Sequence, residues 1–222
     1  MIHDDAVLTR RGILLIAAAL RLSARNSEFW NRKDPSEWSA DEIDRLITKS
    51  PWAKEITVSQ EQSGQKRRGR AAAQFNGVVR WESAKPVLEA MKASLPGEFS
   101  NHYVISVSGI PMSSLSSRNS ESTAAEARAK QREIEGVVDR LKGLTRLEAK
   151  GAAPAQPGIV QETPFGVGET RTMLFGFSKT LLQLSPDNEE AGFTTQMGTI
   201  QTIQVKARFN LRDMIYHDEL AV

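Results

Sequence analysis

The 222 residues carry 29 Lys+Arg against 27 Asp+Glu, a formal charge of +2, and no cysteine. Disulfides, thiolate zinc sites, iron–sulfur clusters and thiol nucleophiles are therefore excluded. The near-balance of charge gives no global pull toward nucleic acid or an anionic membrane, and 40% apolar with 25% charged residues suits a globular chain.

The first 24 residues have the three parts of an export signal. Arg10 and Arg11 form a basic start, Ile13 to Leu20 an apolar run, and Leu22-Ser23-Ala24 a small-residue exit. The arginine pair suggests the twin-arginine type, a receptor-read address. The run is far short of the ~20 residues that cross a bilayer, so no transmembrane segment is expected. The expected organisation is a signal peptide over 1–24 and a single α+β domain over 25–222. Flexible loops are expected near 61–74 and 112–121. Roughly 200 residues after cleavage suffice for an independent core.

Ser39 with Glu42 reads as a capping box, in which side chain and backbone satisfy each other's orphan amides. Ile43, Leu46 and Ile47 give the helix one apolar stripe, and Pro51 ends it near Lys49. Trp30, Trp38 and Trp52 bracket this short helix and are expected to staple it to the domain, because a helix that short is marginal alone. Lys54 to Gln60 and Phe75 to Ser83 read as strands of a hairpin with a long tip. Pro86 opens a helix over Val87 to Ser94. Tyr103 to Ser108 is a strand, and Thr123 with Glu126 caps a long helix over about 123–142, buried through Ile134, Val137, Val138 and Leu141. Leu144 to Ala149, Ile159 to Glu162 and Arg171 to Phe177 are strand candidates, with a linker over Gly151 to Pro157. Ala191 to Gln196 and Thr199 to Leu211 flank Met197-Gly198, which suggests a two-residue hairpin turn. The interspersed elements predict an α+β fold, with a mixed or mostly antiparallel sheet and helices packed on one face.

Several words of the sequence are distinctive together. They are Phe29-Trp30-x-x-Lys33-Asp34-Pro35-x-x-Trp38, Ser50-Pro51-Trp52-Ala53-Lys54-Glu55, Val79-Arg80-Trp81-Glu82-Ser83-Ala84 and the stretch from Val205 to Tyr216. They resemble a family of uncharacterised exported proteins from acidobacteria. The resemblance implies an exported location and carries no activity, ligand or catalytic residue with it.

Chemistry-bearing patterns are few. Asp213, His217 and Asp218 could offer two oxygens and a nitrogen to a metal, but a polar strand end explains them as well. Ser63 and Lys66 match S-x-x-K without the helix that would align them, and Gly166-Val167-Gly168 lacks the rest of a phosphate loop. Glu82 beside Trp81 is the most suggestive acid, since sugars stack on indole faces. Alternation along a strand instead puts Trp81 in the core and Glu82 on the surface. Lys66, Arg67, Arg68 and Arg70 form the one local basic run and could grip a polyanion. The candidate binding residues are therefore Trp81, Glu82, Lys66, Arg67, Arg68 and Arg70. No catalytic residue, metal site or cofactor is expected. The sequence points to a binding or structural module of the bacterial cell envelope, periplasmic or extracellular, with an envelope protein or polyanion as partner and no nucleic acid. A carboxylate-dependent hydrolase is the alternative.

Overall fold

Ser39 and Glu42 close their capping box in both directions: Ser39 N–H donates to Glu42 Oε2 at 2.9 Å and Glu42 N–H to Ser39 Oγ at 3.2 Å. The helix that follows is Ala40–Thr48. The computed structural model describes residues 28–59, 74–111, 123–163, 172–198 and 202–222. The expected signal over 1–24 lies outside them.

Four helices are described: α1 (Phe29–Arg32), α2 (Ala40–Thr48), α3 (Lys85–Met91) and α4 (Ala124–Leu144). Ten strands accompany them. β1 (Ala53–Ser59), β2 (Gln74–Trp81), β3 (His102–Ser108), β6 (Thr172–Ser178) and β5 (Ile159–Thr163) form one sheet in that order. β4 (Arg146–Ala149), β7 (Glu190–Met197) and β8 (Ile203–Asn210) form a second, and β9 (Ile215–Tyr216) with β10 (Glu219–Leu220) a short ribbon. Every pairing is antiparallel. The chain is an α+β protein.

Period-two alternation builds the core. Val79 and Trp81, then Tyr103, Ile105 and Val107, then Met173, Phe175 and Phe177 fill the inner face of the five-stranded sheet. Phe193, Val205, Ala207 and Phe209 fill the facing side of the smaller sheet. Rings meet edge-on across the gap, Trp81 with Phe209 at 5.3 Å and Phe177 with Phe193 at 6.3 Å, an arrangement that aromatic quadrupoles favour. β1 and β8 lie against each other without pairing, so the two sheets leave an unsewn seam.

α2 covers the outer face of the large sheet over β1 and β2 and packs on α3, while α4 leans on β5 and β7. Leu141 is buried and Ile134, Val137 and Val138 are half-buried, as the helical stripe requires. The first turns of α4 are exposed and rest on the Thr123–Glu126 cap and alanine propensity. The three tryptophans do staple α2: Trp30 meets Trp52 at 5.4 Å, Phe29 meets Trp38 at 5.6 Å, and the Trp52 indole donates to the Ala221 carbonyl at 2.6 Å.

Two expectations need correction. Met197 pairs with Ile203, so the β7–β8 connection spans 198–202 rather than two residues. The inward alternation from Ile203 to Phe209 sets that register, because a one-residue slip would turn every apolar side chain outward. The segment 151–157 is no free linker either. Leu147 and Ala155 exchange backbone hydrogen bonds at 2.9 Å, which covers the outer edge of β4.

Candidate functional site

Trp81 is fully buried and presents no face to a ligand. Glu82 lies on the opposite side of the sheet, as alternation requires, but it is not on the surface. α2 covers that side, and Glu82 is 6% exposed. Its Oε1 accepts from Arg80 Nε at 3.0 Å and from the Arg80 terminal nitrogen at 2.6 Å, while the other terminal nitrogen donates to the Ile47 carbonyl at 3.3 Å. The pair ties β2 to the end of α2. Lys66, Arg67, Arg68 and Arg70 lie outside the described residues, as do Ser63 and the 166–168 glycines.

Asp213 closes the turn Leu211–Asp213, where it accepts from the Asn210 amide at 2.7 Å. His217 and Asp218 form the tip of the β9–β10 ribbon, both with positive φ (49° and 65°). The His217 ring stacks on Tyr216 at 4.0 Å, and the His217 backbone N–H donates to Asn31 Oδ1 at 3.0 Å. Among the described residues no group of three or more His, Asp and Glu is placed to hold a metal ion.

The chain does build a polar cleft at one end of the β1–β8 seam, about 720 Å³ in volume, that these motifs did not single out. Its local cause is the turn after α2. Pro51 stops the helix, and Ser50, buried, bonds back to the Leu46 carbonyl at 2.6 Å while accepting from Trp52 N–H at 3.1 Å. The chain then enters β1 with Lys54 turned into the cleft. Trp30 lines one wall, with the Arg45 guanidinium 5.8 Å from its ring centroid. Asn210, Asp213 and Ile215 form the opposite wall.

Lys54 is half-buried, and its ammonium donates to the Ser50 carbonyl at 3.1 Å. No carboxylate among the described residues lies within ion-pair distance of it. Desolvation holds its pKa below the usual lysine value, and the nearby charge of Asp213 works in the opposite direction. The other cleft cations are already matched, Arg45 with Glu28 at 3.0 Å and Lys49 with Glu55 at 3.1 Å. An ammonium has three N–H donors, so this site can accept an incoming carboxylate or phosphate oxygen. Of the cleft carboxylates, Glu28 pairs with Arg45, Glu55 with Lys49, and Asp213 accepts from Asn210.

Next to Ile215 of the cleft wall, Tyr216 fixes the C-terminal ribbon. Its hydroxyl donates to Glu89 on α3, and burial followed by the Glu89 carboxylate pushes its pKa well above the usual phenol value.

Comparison with known proteins returns no matching family model, no matching curated protein and no matching solved structure. No helix among the described residues is long and apolar enough to cross a membrane.

Proposed function

We propose that this chain is an exported binding module of the bacterial cell envelope, which holds an acidic group of an envelope polymer or protein in the Lys54 cleft. One observation carries the binding half of this proposal. A half-buried ammonium with one hydrogen bond lines a cleft whose other cations are already paired. Desolvation strengthens an attraction made there relative to one at the open surface. Export is supported by Arg10, Arg11 and the apolar run to Leu20, and by the resemblance to exported acidobacterial proteins. The cleft volume falls in the range of small-ligand sites, so a single monomer of a polymer or the end of a peptide would fill it.

Two experiments test the two halves. Mass spectrometry of the protein from an envelope fraction should find a start just after Ala24; full-length protein in the cytosol contradicts export. Titration with inorganic phosphate and with N-acetylglycine, followed by amide NMR, should move Ser50, Lys54 and Asp213 in the wild type and not in Lys54→Met. Equal shifts in both proteins contradict the cleft as the binding site.

A further inference from the structure

The cleft that holds Lys54 is lined by three cations, Arg45, Lys49 and Lys54, and three carboxylates, Glu28, Glu55 and Asp213. Two pairs close on themselves, Arg45 with Glu28 and Lys49 with Glu55. Lys54 and Asp213 do not. They stand on opposite walls, and the charge of Asp213 acts on Lys54 across the gap without closing an ion pair.

Both walls are fixed. Lys54 follows the Ser50 turn and donates to the Ser50 carbonyl at 3.1 Å. Asp213 ends the turn Leu211–Asp213, which is anchored by buried Leu211 and Met214 and by the Leu211 N–H bond to the Glu189 carbonyl at 2.8 Å. Asp213 itself is exposed. Asn210 donates to its Oδ2 at 2.7 Å, and a carboxylate offers about four acceptor sites, so one amide does not use up its capacity. Charge then decides which ligand matches. An acid alone gains the Lys54 donors but brings a second negative charge toward Asp213, and like charges set side by side repel. An acid that carries its own ammonium turns that repulsion into a second attraction. We infer that the ligand of this cleft is a zwitterion, an amino acid or a polymer unit with both a free carboxylate and a free ammonium, the carboxylate held by Lys54 and the ammonium by Asp213. The inference rests on anion capture at Lys54 and adds the other half of the ligand.

The probes are glycine, β-alanine and 4-aminobutyrate, which set the two charges progressively further apart. N-acetylglycine supplies the acid alone and ethylamine the cation alone. Each is titrated into the full chain at pH 7 and low salt, and the amide NMR signals of Lys54 and Asp213 are followed. At least one zwitterion should bind about five-fold or more tighter than either single-charge probe, as one added charge-assisted hydrogen bond implies. Asp213→Asn should abolish that preference and bind N-acetylglycine at least as tightly as the wild type does, because the repulsion is gone. Circular dichroism confirms that the variant is folded, and the comparison of probes on the wild type needs no variant. Lys54-dependent binding of N-acetylglycine with no zwitterion tighter, or a zwitterion preference that survives in folded Asp213→Asn, overturns the inference and leaves anion capture standing. No Lys54-dependent shift with any probe overturns both.

Discussion

Replacing Arg80 by methionine would remove one partner of an ion pair whose side chains are only 9% and 7% exposed. The carboxylate of Glu82 would then stay buried under α2 without its two donors, and the Ile47 carbonyl would lose a third contact. Breaking a buried pair from one side costs about 3–5 kcal/mol, because the remaining charge is uncompensated. With a urea dependence of about 2 kcal/mol/M, the unfolding midpoint should fall by about 2 M. Arg80→Met combined with Glu82→Leu removes both charges and should recover to within about 1 kcal/mol of the wild type, since well-packed apolar residues often replace a buried pair at little cost. Urea unfolding of the wild type, both single variants and the double variant closes the cycle. A coupling below about 0.5 kcal/mol, or a single Arg80→Met variant as stable as the wild type, would refute a buried Glu82 held by Arg80.

Tyr216→Phe should cost about 1–2 kcal/mol at neutral pH, measured by urea unfolding, because Glu89 loses its donor. The raised phenol pKa means this stabilisation is complete below about pH 10 and is lost as pH rises further, so the gap between variant and wild type should close only in strong alkali. Gly176→Ala should cost about 1–3 kcal/mol in thermal or urea unfolding, because an added Cβ would meet the Phe99 ring at 2.9 Å and Ile159 at 3.3 Å. Phe99→Leu in the same background should return part of that loss. Lys54→Met should be more stable than the wild type at pH 7. The lowered lysine pKa marks a charge that folding desolvates, so the wild type should gain on the variant as pH rises toward ordinary lysine ionisation near 10.4. A gap that widens with pH instead would contradict the desolvation of Lys54.

Local signals were the most readable part of this sequence. Ser39–Glu42 and Thr123–Glu126 set helix starts through contacts three residues apart, and the unbroken alternation from Ile203 to Phe209 marked a strand with one buried face. Pairing between distant strands had no local signal, which is why the two facing sheets emerge only in the fold. Glu82 shows the same limit. Alternation placed it opposite Trp81, but whether that side meets water depends on α2, some 35 residues earlier in the chain. The β9–β10 ribbon escaped notice because its tip is His217-Asp218, without the Asn-Gly or Asp-Gly that usually supplies positive φ at such turns. The Lys54 cleft was hidden for a geometric reason. Lys54 reads as an ordinary strand residue until Asn210 and Asp213, more than 150 positions later, close the opposite wall.

Anion capture at Lys54 is tested most directly by calorimetric titration of the full chain with inorganic tripolyphosphate at low salt. Three proteins are needed: the wild type, Lys54→Met, and a variant with Lys66, Arg67, Arg68 and Arg70 all changed to serine. Affinity should fall at least about ten-fold in Lys54→Met, as removing a charge-assisted hydrogen bond in a desolvated site implies, and should change little in the serine variant. Full affinity in Lys54→Met, with loss only in the serine variant, would place recognition on the basic run and contradict the cleft.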